Sequence, residues 1–390
     1  MLLISKDISV DKLESLYSQL NSCTDKIIDI ELPNKINNSD FSLLFSLIQF
    51  VATWVRNEKS GNLYLPISED EISDYLISNE FVYPIIVISW EKLIFNKEGI
   101  NIKKSIKEPS KEYFRQMDFF NLKLYNVPIY CFDFDKSNRG IAKSLYQDKD
   151  TIFAEDGLGF NLFPAYQKVG SFNNSVFRQN ITKDLDSITA IIHELFSNTH
   201  EHAKTDETGK YLYPNIRAIH LKFHKKKIES FKNTYENFKG LESYFQSDFN
   251  LNAQSELYLL EISIVDSGPG IVKRYAKISD LNQLNTFDEV SYIKECLYRH
   301  NTSSDISISD TKGIGLDRVL QTLDKKGFIR IKTGRVDVVR DVKTINYEHH
   351  SKASDISLFD WKTNSENHFT SYPETSGTLI SIFYPLTFNL

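Results

Sequence analysis

The stretch IIHELFSNTHEHA, residues 191–203, gathers three histidines, two glutamates and an asparagine. It covers about three and a half helical turns. Side chains of these types hold zinc, pass protons, or meet a phosphate through a hard metal ion. Zinc fits poorly. An HExxH helix carries its second histidine four residues after the first, and Ser197 stands there instead. His200 and His202 are two apart and diverge on a helix. A hydrolytic Ser–His–Asp arrangement fits no better, because no GxSxG elbow is present. Glu194 and Asn198, by contrast, are four apart and stack on one flank of a helix, with His202 continuing the row. His193, Ser197 and His200 are expected to point more nearly to the opposite face.

Two glycine motifs add to this helix. DSGPG, Asp266 to Gly270, closes a long apolar run. A carboxylate there can accept a hydrogen bond from an amine on a flat heterocycle, and Gly268 and Gly270 permit close backbone approach. KGIGL, Lys312 to Leu316, follows a polar Ser/Thr loop and opens a helix. Backbone N–H groups at such a start, with the positive end of the helix dipole, suit phosphate. It is neither a Walker loop nor a GxGxxG dinucleotide fingerprint.

These motifs need elements to hold them. Ile188, Ile191, Ile192, Leu195 and Thr199 recur at helical spacing, which predicts a helix over 184–203 anchored by that side. IRAIHLKF (216–223), ELYLLEISIVD (256–266), FIRIKTG (328–334) and TLISIFYPL (378–386) read as strands. KKKIESFKNTYENFKGLESYF (225–245) reads as a helical insert, and TFDEVSYIKECLYRH (286–300) as a helix. GLDRVLQTLDKKG (315–327) reads as a helix with Gly327 as its C-cap. Upstream, KIIDIEL (26–32), NLYLP (62–66) and VYPIIVISW (82–90) read as strands. Helices are predicted at 40–59, with Asp40 as N-cap, and at 68–76. Residues 91–150 are polar and mixed and read as a solvated face or connector. The chain is therefore expected to be α/β, with a smaller N-terminal α/β domain at 1–150, a linker at 151–174 and a second domain at 175–390.

Composition limits the function classes. The chain has 390 residues, 41% apolar and 25% charged, which is ordinary for a globular protein. A net charge of −6 gives no indication of nucleic-acid binding. Cys23, Cys131 and Cys296 form no disulfide framework or CxxC pattern and suit a reducing cytoplasm. The N-terminus lacks the pattern of a signal peptide. The most apolar segment, SLLFSLIQFVATWV, falls short of the roughly 20 residues a membrane span needs. It is expected to be a buried helix in a cytoplasmic protein.

Taken in order, HELFSN on a helix, DSGPG after a strand, KGIGL opening a helix and SGT at a last strand resemble the Bergerat nucleotide-binding fold of the GHKL superfamily. That superfamily includes gyrase, a heat-shock chaperone, MutL and histidine kinases. The resemblance covers about residues 175–390 and implies a C-terminal α/β sandwich, a mixed sheet covered by helices, that binds ATP with Mg2+. It makes Asn198 the magnesium ligand and Asp266 the reader of the adenine amino group. Gly268, Gly270, Ile271 and Thr378 would surround the base. Lys312, Gly313, Ile314, Gly315 and Leu316 would form the lid and phosphate cradle, with His202 near the phosphates and Thr302 and Ser303 in the lid.

The resemblance also gives Glu194 a role. Gyrase-like ATPases carry a glutamate four residues before the magnesium asparagine, where it orients the attacking water. Sensor histidine kinases usually carry asparagine there. Anti-sigma-type serine kinases share the glutamate, so phosphotransfer to a protein is the alternative, and a non-hydrolysing regulatory module a third reading. The sequence ends soon after its last predicted strand, so no transducer domain of the gyrase type is expected. The expectation is slow ATP hydrolysis, with lid closure coupled to a protein partner or a second subunit.

Overall fold

The computed structural model describes all residues except 24–26, 38–39, 58–59, 135–139, 172–174, 299–314 and 387–390, and the side chains of 171 and 175–180. The N-terminal part contains β1 (Leu2–Leu3), α1 (Val10–Ser22), β2 (Ile30–Glu31), α2 (Leu43–Arg56) and β3 (Leu63–Tyr64), then α3 (Ile72–Ser78), α4 (Val82–Ile88), β4 (Ile94–Phe95) and α5 (Lys103–Asp118). Its four short strands pair in parallel in the order β1-β2-β3-β4. There follow β5 (Val127–Asp133), α6 (Glu155–Ser171), α7 (Ser175–His202), β6 (Asn215–Lys227), α8 (Ile228–Tyr235), α9 (Lys239–Gln246) and β7 (Glu256–Asp266). The chain continues through α10 (Ile271–Ala276), α11 (Thr286–Leu297), α12 (Gly315–Leu323), β8 (Phe328–Gly334), β9 (Val336–Asp341), β10 (Phe359–Asp360) and β11 (Thr375–Pro385).

The second sheet has seven strands in the order β10-β9-β8-β11-β7-β6-β5. The α/β sandwich stands, but every pairing in this sheet is antiparallel rather than mixed. Both faces are covered. Ile264, Asp266, Thr378 and Ile380 face a cleft beside α7, while Phe383 of the opposite face stacks on Phe41. Burial on both sides explains why β7 reads as a mostly apolar run, broken only by Glu261 and Ser263, instead of a strictly alternating one.

Helix α2 is the cover on that opposite face. Leu43 to Trp54 are all buried. Trp54 Nε1 donates to the Ile28 carbonyl at 2.7 Å on the parallel-sheet side. Gln49 Nε2 donates to the Lys332 carbonyl at 3.3 Å on the antiparallel side. The helix thus lies between the two sheets. Asp40 does not cap it. Ser42 precedes the first turn in a left-handed conformation, because buried charges of the large sheet claim its polar atoms. Its N–H donates to Glu261 Oε1 at 2.9 Å and its hydroxyl accepts from Arg330 at 2.7 Å. Asp40 instead accepts from the Val10 N–H at the start of α1.

Four further expectations are corrected. Residues 82–90, expected as a strand, contain helix α4, buried throughout. Pro84 sits in its first turn, where a missing N–H costs nothing; in a central strand it would break a ladder bond. The 91–150 connector contains α5 and β5, and β5 is the edge strand of the large sheet. Its Pro128 is tolerated because an edge strand has one unpaired side. Residues 155–171, expected within a linker, form α6, which packs Leu158, Leu162, Ala165, Tyr166 and Val169 into the core. The sheet therefore does not follow the division at 150. The helix from Gly315 ends at Leu323, and Lys325, not Gly327, takes the left-handed position after it. Gly327 is needed for space, since a Cβ there would lie 2.5 Å from Leu323. Among the described residues no helix is long and apolar enough to cross a membrane.

Candidate functional site

Helix α7 is held by the face read from its spacing. Ile188, Ile191, Ile192, Leu195 and Thr199 are all buried, and Phe196 with them. Each large apolar side chain contributes about 1.5–3 kcal/mol of burial, so the helix is pinned and its flanking polar side chains have defined places. Glu194, Asn198 and His202 line a cleft of about 680 Å³, a size that suits a small organic ligand. Asp266, Gly270, Ile271, Gly315, Leu316 and Thr378 line it too. Gly268 lies just behind the wall, where a Cβ would stand 2.7 Å from Ala203 Cα. Thr302, Ser303, Lys312, Gly313 and Ile314 lie outside the described residues.

The cleft floor is built by the sheet. Asp266 ends β7 and is 7% exposed, and its Oδ1 accepts the Gly268 N–H at 2.8 Å. Burial pushes its carboxyl up to about 7, against the opposing pull of the Gly268 and Thr378 backbone N–H groups. Among the described residues it has no ion pair. Thr378 follows a break in the β11–β8 register after Thr375. Gly377 makes that break possible: its φ is 74°, and a Cβ would lie 1.9 Å from the Asp266 carbonyl oxygen. Thr333 Oγ1 joins the two motifs, accepting the Ile271 N–H at 3.1 Å and donating to the Gly377 carbonyl at 3.2 Å.

Several wall residues had no sequence signal. Asp150, Thr151 and Ile152 come from the stretch before α6, and Tyr275 and Cys296 from α10 and α11. Arg274 is the one guanidinium among the described lining residues, and its Nη1 donates to Thr205 Oγ1 and the Asp206 carbonyl, both at 3.1 Å. Gly377 stood within the SGT signature and could have been singled out for its glycine. Arg274 lies four residues after Gly270, one helical turn into α10, but nothing in the sequence turns it toward the cleft.

His193, Ser197 and His200 also line the cleft, so the face expected to point away is not free. The segment before α6 folds over it. His200 Nδ1 is 2.9 Å from Tyr146 Oη, and Lys204 Nζ donates to its Nε2 at 3.3 Å. Burial, then the charges of Lys204 and Arg217, lower His200 to about 4, so it is neutral at physiological pH. Arg217 is fully buried, donates to Tyr146 Oη, and forks onto Asp133 of β5 at 2.7 and 3.1 Å.

Glu194 is not a free carboxylate. Arg318 Nη1 donates to its Oε1 at 3.0 Å and to Glu155 Oε2 at 2.6 Å, while Nη2 donates to Glu155 Oε1 at 3.0 Å. Glu155, His193 and Glu194 bring ligand atoms within 4.8 Å of one another, the metal-like cluster found among the described residues. The Arg318 guanidinium already supplies a cation there.

Compared with protein-family models, with curated proteins and with solved structures, the chain matches none.

Proposed function

We propose that the cleft binds ATP with magnesium and hydrolyses it slowly. The observation that carries this reading is the convergence of Asp266, Gly270 and Thr378 with Glu194 and Asn198 on one cleft of about 680 Å³. A buried carboxyl with no ion pair among the described residues, at the floor of such a cleft, wants a hydrogen-bonding group on its ligand, and the adenine amine meets that need. Apolar Ile264, Ile271 and Ile380 beside it suit the flat ring. Asn198 would hold the magnesium through its carbonyl oxygen, a hard donor of the kind the ion prefers, and the ion would offset phosphate charge. Glu194, one turn earlier on the same flank, would orient the attacking water. The phosphate cradle rests on the KGIGL signature, of which Gly315 and Leu316 line the cleft. Membership of the GHKL superfamily and coupling to a protein partner or second copy belong to this proposal and rest on the sequence signature.

Glu194→Ala is expected to lower steady-state phosphate release by about 100-fold while binding of a non-hydrolysable ATP analogue survives. Equal turnover in that variant would sink the hydrolytic role. Labelled ATP incubated with the full chain and cell lysate distinguishes the other outcomes. Transfer of label to a protein band supports a serine kinase, and tight binding with no release or transfer supports a regulatory binding module.

A further inference from the structure

Three elements far apart in sequence meet at one guanidinium. Arg318 lies on the first turn of α12, Glu194 on α7 and Glu155 at the start of α6. The fork of Arg318 engages both oxygens of Glu155, and its Nη1 is shared with Glu194 Oε1. The other Glu194 oxygen rests against Gly315, where a Cβ would come within 2.7 Å of Oε2. The Asn198 amide nitrogen is 3.9 Å from that same point. The carboxylate is therefore fenced by Arg318 on one side, by the glycine that opens α12 on another, and by the next turn of its own helix. We propose that Arg318, anchored by Glu155, is the positioning residue for Glu194. It rests on the hydrolytic reading of the cleft.

The physical case is one of charge and geometry. A glutamate side chain on a helix flank has three rotors and does not hold one position unaided. Without Arg318, Glu155 and Glu194 would face each other as like charges, and Glu194 would turn away from the place beside Asn198. A guanidinium fits this role better than an ammonium, because its planar fork bonds one carboxylate through two nitrogens and still offers an N–H to a second. Glu155 is the anchor and Glu194 the group being aimed. The metal-like cluster of Glu155, His193 and Glu194 follows from the same arrangement: the arginine stands where a cation would otherwise be drawn.

The test uses the full chain and the variants Arg318→Ala, Arg318→Lys and Glu155→Gln. Arg318→Ala is expected to lower kcat by about tenfold or more while the Kd for a non-hydrolysable ATP analogue with magnesium changes less than about threefold. Arg318→Lys should recover part of the loss, and Glu155→Gln should fall between it and the wild type. A purely structural role would move stability and both constants together. A second readout needs no turnover. Arg318→Ala, but not the wild type, should gain a thermal shift with zinc chloride alone, and adding Glu155→Gln should remove that gain. Unchanged kcat in Arg318→Ala with analogue binding intact, or no zinc response in it, overturns the proposal. Absence of turnover in the wild type, with analogue bound, overturns the hydrolytic reading instead, and the zinc response then still decides whether Arg318 holds the two carboxylates.

Discussion

Replacing Asp266 by asparagine is expected to stabilise the nucleotide-free chain above neutral pH while abolishing nucleotide binding. Burial holds this carboxyl at about 7 instead of its ordinary 3.8. Between those two values the folded chain keeps a proton that the unfolded chain has released. Stability therefore falls as pH rises through that window, by about 1.4 kcal/mol per pH unit. Above pH 7 the whole cost, about 4 kcal/mol, is in place; below 3.8 both states are protonated and it vanishes. Asparagine does not titrate but is a poorer partner for the Gly268 and Thr378 N–H groups, so the net gain should be about 1–3 kcal/mol. His200 acts in the opposite sense. Held at about 4, it refuses a proton that the unfolded chain accepts, so its contribution is lost as pH falls from 6.5 towards 4. The two slopes oppose each other in the wild type, and the difference between wild type and Asp266→Asn isolates Asp266. Urea denaturation of both chains at several values between about pH 5 and 8 measures it. The difference should grow up to neutral pH and then level off. Parallel profiles would refute the burial argument, and an ATP-induced thermal shift retained by Asp266→Asn would refute its part in binding.

Other perturbations test the frame around the cleft. Arg56→Ala removes donors to the Pro214 and Ser267 carbonyls at 2.6 and 3.4 Å; unfolding should shift by about 2 kcal/mol, and nucleotide affinity should weaken in calorimetry because Ser267 adjoins Asp266. Gly377→Ala would drive a Cβ to 1.9 Å from the Asp266 carbonyl and should cost more than about 3 kcal/mol, read as a lost or strongly lowered melting transition. Arg330→Met leaves Asp337 buried without its guanidinium partner and should cost about 3–5 kcal/mol. The double change Arg330→Met with Asp337→Leu should regain most of that in urea denaturation, since it leaves no unpaired charge.

Much of the site was legible because its parts are local. The buried side of α7 was read from Ile188, Ile191, Ile192 and Leu195, and the structure buries each of them. The bounds of β7 and β8 match the segments ELYLLEISIVD and FIRIKTG, with the DSGPG turn at the end of the first and Gly334 closing the second. Where a run was apolar on every side, periodicity lost its power to discriminate, and 82–90 became a strand on paper and a helix in the protein. Pro84 was the available clue. The run VPIYCFD was hidden by the polar stretch around it, and its place at the sheet edge depends on pairing with β6, more than 80 residues later.

Sequence alone determined which residues belong to which motif, and on what kind of element each motif sits. Helical spacing, strand alternation and glycine turns are properties of neighbours along the chain. Tertiary structure alone decided that Asp266, Thr378, Glu194 and Asn198 open onto one cleft. It also decided that α2 lies against the back of the sheet, with Arg56 on the Ser267 carbonyl and Thr53 Oγ1 accepting the Ser376 N–H at 2.9 Å. The link from Glu155 through Arg318 to Glu194 is likewise tertiary. These partners stand more than 100 residues apart in sequence. The Thr53 and Ser267 partners are set by burial, since a polar group taken out of water must find its complement wherever the fold brings one close, whereas the half-exposed Arg318 link is set by opposite charges that the fold brings together.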